Sequence, residues 1–102
     1  TQHMIKYKGT TLYPPAMQDL LSHFEEIKLY LIEIETNDIG TDEINIKIYS
    51  IENSAEFLSK LKDFFRSKLR VTPNIQFVKA DILQSIIFNP LSRKPITFID
   101  KR

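Results

Sequence analysis

Apolar and polar positions along the chain alternate in some stretches and recur at helical spacing in others, and the changes of period mark out its elements. Met4-Ile5-Lys6-Tyr7-Lys8-Gly9 alternates apolar and basic side chains and stops at a glycine, which predicts a short strand running into a turn at Lys8 and Gly9. Pro14-Pro15 stands where a helix can begin, and Met17, Leu20, Leu21 and Phe24 follow on one apolar stripe, predicting a helix from about Pro15 to Phe24. Ile27 to Thr36 is rich in Ile, Leu and Tyr, and Glu43-Ile44-Asn45-Ile46-Lys47-Ile48-Tyr49 alternates cleanly. Both read as strands, with Asn37-Asp38-Ile39-Gly40-Thr41-Asp42 as the turn of an antiparallel hairpin.

Asn53 and Glu56 stand at the offset of a capping box, with Asn in the capping role. Phe57, Leu58, Leu61, Phe64, Phe65 and Leu69 then make a broad apolar face, the strongest helix signal in the chain, which Val71-Thr72-Pro73 ends. Ile75-Gln76-Phe77-Val78-Lys79 reads as another strand, and residues 81–88 as a short helical turn running into a strand. In the last stretch, Pro90, Ser92, Arg93, Lys94 and Pro95 make a cationic loop that Ile96, Phe98 and Ile99 can fasten to a sheet. The order β-α-β-β-α-β predicts an α+β, ferredoxin-like antiparallel sheet covered by two helices, with an appended C-terminal lysine loop and short strand.

At 102 residues the chain is long enough for one domain with a modest core. It opens Thr1-Gln2-His3-Met4, which we read as a piece of a longer protein. Fourteen basic and thirteen acidic side chains leave a net charge of +1, so no general attraction to nucleic acid is expected. The absence of cysteine excludes disulfides and thiolate metal sites and fits a reducing, cytoplasmic setting. No apolar run approaches the ~20 residues that cross a bilayer, so no membrane partner is expected.

The composition offers little chemistry by itself. His23 has no second ligand at metal-binding spacing, and Asp38, Asp42 and Glu43 lack the ligand ladder of a calcium loop, so no metal site is expected. The aromatic residues after Asn53 sit at core spacing with charges on the opposite face, which disfavours a base-stacking platform.

Read together, Met4-Ile5-Lys6-Tyr7-Lys8-Gly9-Thr10-Thr11-Leu12-Tyr13-Pro14, Lys94 and Ile99-Asp100-Lys101-Arg102 resemble the C-terminal domain of phenylacetate-coenzyme A ligases over nearly the whole chain. In that family an acidic hinge precedes an apolar strand, a glycine turn and an aromatic-Pro pair, and a lysine stands six residues before the aspartate of an Ile-Asp-x-Arg end. Lys94 and Asp100 hold that separation and Arg102 the last place; Gln2 and His3 stand where the hinge acids would be, and Arg93 where a glycine usually precedes the lysine.

The resemblance implies a mobile C-terminal domain, spanning residues 1–102, of an adenylate-forming ligase that joins an aryl or acyl carboxylate to coenzyme A at the expense of ATP, with Mg held mainly by a larger N-terminal adenylation domain. It implies that Lys94 is the catalytic lysine of adenylation, that Lys8 and Gly9 face coenzyme A, and that Gln2 and His3 flank the hinge. The isolated domain is then expected to be inactive. The competing expectation is a stand-alone ferredoxin-like small-molecule-sensing or interaction module, which would pair its sheets in a dimer and bind its ligand without ATP.

Overall fold

The computed structural model describes residues 4–91 and 94–102. In chain order the elements are β1 (Ile5–Tyr7), β2 (Thr10–Leu12), α1 (Pro14–Ser22), β3 (Ile27–Thr36), β4 (Asp42–Ser50), α2 (Ala55–Leu69), β5 (Asn74–Phe77), α3 (Ala80–Ile87) and β6 (Phe98–Asp100). Four of the strands form one mixed sheet in the order β5-β4-β3-β6, while β1 and β2 make a separate two-stranded hairpin.

The expected hairpin of β3 and β4 is antiparallel, with Ile32 opposite Ile46 and Ile34 opposite Ile44. Its turn is closed by Asn37, whose side-chain oxygen accepts from the amides of Ile39 and Thr41 at 3.1 and 2.9 Å. β5 lies parallel to β4, and β6 parallel to β3. The sheet is therefore mixed rather than antiparallel throughout, because both outer strands return through a helix and not through a tight turn.

Alternation along the strands sorts side chains to two faces. On one face Ile32, Ile34, Ile44, Ile46 and Ile48 pack with Met17 and Leu21 of α1, Phe57, Leu61 and Phe65 of α2, and Ile5, Tyr7 and Leu12 of the small hairpin. On the other, Leu31 packs with Leu83 and Ile87 of α3, joined by Ile96 and Ile99. β3 is covered on both sides, so Leu31, Ile32, Glu33 and Ile34 are all buried in succession.

Several expected details shift. The first strand does not enter the main sheet: Lys8 (φ 49°) and Gly9 (φ 80°) form a two-residue turn that pairs it with Thr10–Leu12, so its hydrogen bonds are met locally. The helix cap before α2 is Ser54 and not Asn53, since helical backbone begins at Ala55 and the Ser54 Oγ accepts from the amide of Phe57 at 3.1 Å. Residues 80–87 are all helix, so the described residues hold three helices; the strand expected at the end of that segment does not form there, and the short strand expected after the lysine loop is β6. Among the described residues no helix is long and apolar enough to cross a membrane.

Candidate functional site

Lys94 lies in the connection from α3 to β6 and is exposed. The segment on its C-terminal side is held at several points. The amide of Ile96 donates to the carbonyl of Ile87 at 2.8 Å, and the carbonyl of Thr97 accepts from the amide of Ile32 at 2.9 Å. The Thr97 hydroxyl accepts from Gln18 Nε2 at 3.1 Å, which ties α1 to the same segment. Tyr30 reaches Thr97 as well; burial raises its phenol above the ordinary value and the negative charge of Asp19 adds to this, outweighing the hydrogen bond to Thr97. Lys94 therefore follows the exposed Phe88 and Leu91 and precedes a three-residue approach to the sheet that is held at Ile96 and Thr97.

β6 itself is short, and charges secure it. Lys101 Nζ lies 2.6 Å from Glu33 Oε2, and Lys47 Nζ lies 2.9 Å from Glu33 Oε1. The Glu33 side chain is 5% exposed, so it is a buried carboxylate held between Lys47 of β4 and Lys101, the residue after β6. Burial acts to raise its pKa, but the hydrogen bonds from Lys101 and Lys47 and their positive charge prevail and hold it below the usual carboxylate range. Lys101 is raised in turn, chiefly by its bond to Glu33, with Glu35 at 3.5 Å a weaker partner.

Arg102 closes the end of the strand. Its guanidinium meets Asp100 at 2.7 Å and Asp42 of β4 at 2.9 Å, which raises its pKa still higher than an arginine's ordinary value. Asp100 and Arg102 thus form an ion pair, and Asp42 extends it to the other side of β3. The Glu33 cluster was missed by sequence reading. Its signal is a glutamate inside the apolar run Leu31-Ile32-Glu33-Ile34, where a lone charge in a doubly covered strand requires partners.

Lys8 and Gly9 sit together in the β1–β2 turn. The Lys8 ammonium stands 5.1 Å from the centre of the Tyr7 ring, a cation–π contact, and the Tyr7 hydroxyl donates to the carbonyl of Thr72 at 3.3 Å. A Cβ on Gly9 would meet nothing within 4 Å, so the glycine answers to its positive φ and not to crowding inside the domain.

Thr72 precedes β5 at the end of the sheet where β3 finishes, and Lys94 precedes β6 at the end where β3 starts and on the opposite edge. The two groups of candidate residues are not brought together. Gln2 and His3 lie outside the described residues.

Two open clefts lie elsewhere. One of about 270 Å³ is lined by Tyr49, Ser50, Asn53, Phe77, Val78 and Lys79. The other, of about 590 Å³, is lined by Glu26, Glu52, Ser54, Glu56, Phe57 and Lys60. Neither includes Lys8, Gly9 or Lys94, and among the described residues no group of acidic and histidine side chains could hold a metal ion.

No protein-family model matches the chain, and no curated protein matches it. Solved structures do. A domain of phenylacetate-coenzyme A ligase from Bacteroides vulgatus aligns over 97% of this chain and 92% of its own, at 21% identity and a TM-score of 0.66. A 2-hydroxyisobutyryl-CoA ligase, in complex with 2-HIB-AMP and CoA in the thioesterification state, aligns over 97% of this chain but only 21% of its own, at 20% identity and a TM-score of 0.67. The amide bond synthetase McbA from Marinactinospora thermotolerans aligns over 92% of this chain and 18% of its own, at 15% identity and a TM-score of 0.65. These likenesses establish the fold: an α+β unit that stands nearly whole as one solved domain and makes up about a fifth of two longer chains.

Proposed function

We propose that this chain is the mobile C-terminal domain of an ATP-dependent acyl-coenzyme A ligase of the phenylacetate-coenzyme A ligase kind. The observation that carries this reading is the likeness of nearly the whole chain to one such domain and to a fifth of a longer ligase, with an exposed lysine just before a segment held at Ile96 and Thr97.

In this reading a carboxylate oxygen of an aryl or acyl acid attacks the α-phosphorus of ATP, and the bond to pyrophosphate breaks. Coenzyme A sulfur then attacks the acyl carbonyl, and AMP leaves. Lys94 brings its positive charge to the first step, offsetting repulsion between carboxylate and phosphate oxygens and stabilising the charge that develops on transfer. For the second step the domain turns about a pivot at Gln2 and His3, and the β1–β2 turn is presented instead. There the Gly9 backbone, open to approach, lies along the pantetheine arm, and the exposed Lys8 meets phosphate at the nucleotide end.

The placement of Lys94 and of the Lys8-Gly9 turn at opposite ends of the sheet supports a division of the two steps between two orientations. The acid pocket, the nucleotide pocket and any magnesium ion are assigned to the larger N-terminal domain, since the described residues carry no metal cluster and the sequence has only two glycines and no phosphate loop.

The test uses the intact ligase. Lys94→Ala is expected to lower carboxylate-dependent ATP–pyrophosphate exchange by about 10²–10³-fold, the usual effect of losing such a contact. Thioester formation from a supplied acyl adenylate should change little. Unchanged exchange would remove Lys94 from its role, and absence of exchange with any carboxylate in the wild-type protein would remove the ligase reading.

A further inference from the structure

We infer that Glu33 is a positioning residue: by binding Lys101 from one side and Lys47 from the other, it keys the register of β6 against β3 and so fixes where the Lys94 loop stands. The purpose assigned to the key rests on the ligase reading above, while the key itself rests on geometry.

β6 has three residues, lies at the sheet edge and pairs on one side only, Phe98 with Ile32, Ile99 with Glu33 and Asp100 with Ile34. A slip of one residue would turn Phe98 and Ile99 to the wrong faces, so apolar patterning forbids it. A slip of two residues restores every face, and apolar patterning on so short a strand discriminates poorly against it. Charge at one place does discriminate. Lys101 lies diagonal to Glu33 across β3 and β6, and Lys47 lies diagonal to it across β3 and β4. With β6 displaced by two positions so that Thr97 comes opposite Glu33, Lys101 loses its 2.6 Å contact and the buried carboxylate is left with Lys47 alone; displaced the other way, Lys101 comes directly opposite Glu33, and the contact broken is that of Arg102 with Asp42.

Buried ion pairs add little net stability compared with apolar replacements, and their best-attested use is to specify register. The groups facing Glu33 are Lys47 and Lys101, with Glu35 beside Lys101; Arg102 with Asp42 and Asp100 makes a second tie further along. Between this key and the Ile96–Ile87 hydrogen bond, the path from the sheet to Lys94 is set at both ends.

The test reads amide hydrogen exchange by peptide mass spectrometry in Glu33→Leu, and in Lys101→Met should the first variant fail to fold. Exchange in residues 88–102 is expected to rise at least tenfold while residues 42–50 keep wild-type protection, and Lys101→Arg is expected to retain protection throughout. A uniform rise across the chain, or none in residues 88–102, would overturn the inference. In the intact ligase the same variants should lose at least tenfold in pyrophosphate exchange and keep thioester formation from supplied acyl adenylate; equal loss in both would reduce Glu33 to a stability role. A wild-type protein without pyrophosphate exchange would end the ligase reading and leave the register key to be judged by hydrogen exchange alone.

Discussion

Lys8 and Glu33 carry opposite kinds of cost. Lys8 is a non-glycine residue at positive φ, which for a side chain with a Cβ costs roughly 1–2 kcal/mol, and its stacking on Tyr7 returns part of that. Glu33 is a carboxylate out of water, kept charged only by its lysines. The pH dependence that follows has a definite sign. The folded Glu33 titrates below its ordinary value, so the stability it contributes is complete above ~4.3 and is lost as pH falls through its lowered value. Lys101 is raised, so its contribution is complete below the ordinary lysine value and is lost as pH rises through the raised one. Urea midpoints measured across pH should therefore form a plateau that falls on both flanks, and Glu33→Gln should flatten the acid flank.

At the level of elements, α2 shows what local sequence decides and what it leaves open. Its apolar face, from Phe57 to Leu69, was legible because six large side chains repeat at helical spacing. Its start was misplaced by one residue because Asn53 and Ser54 are both good caps, and only the backbone decides between them. The helix ends on Arg70 at φ 69°, a left-handed position usually filled by glycine. Arg70→Gly should accordingly raise stability by about 1 kcal/mol, and Ser54→Ala should lower it by ~1 kcal/mol, both read from urea unfolding. The central hairpin was legible for the same reason as α2, a clean period ending in turn residues. The β1–β2 hairpin was half legible: Lys8-Gly9 signalled the turn, but Thr10-Thr11-Leu12 is too short to announce a strand. β6 was foreseen as a short strand at the end of the chain but not its neighbour, since its place beside β3 depends on pairing across more than sixty residues. The candidate site followed the same division. Lys94, Lys8 and Gly9 stood out by type and neighbours, whereas Glu33 became visible only once three strands were assembled around it.

The whole molecule is built on a sheet with unequal covers. The face under α1, α2 and the small hairpin holds most of the buried side chains, and the α3 face holds a smaller cluster around Leu31, Leu83 and Ile87. Phe65, fully buried in the larger core, should cost about 3–5 kcal/mol when replaced by alanine, a large part of the ~5–15 kcal/mol typical of a domain this size. Equilibrium denaturation in urea measures it directly.

The order in which the strands occur along the chain bears on how the protein is made. β3 is an inner strand with β4 on one side, yet its other neighbour is drawn from residues 98–100. While a ribosome is still working through the intervening positions, β3 presents bare amides and carbonyls along that flank and Glu33 has Lys47 but not Lys101. A nascent polypeptide in that condition offers a template on which a second one can stack, so slow translation between residues 37 and 98 would favour tangled aggregates over the native fold.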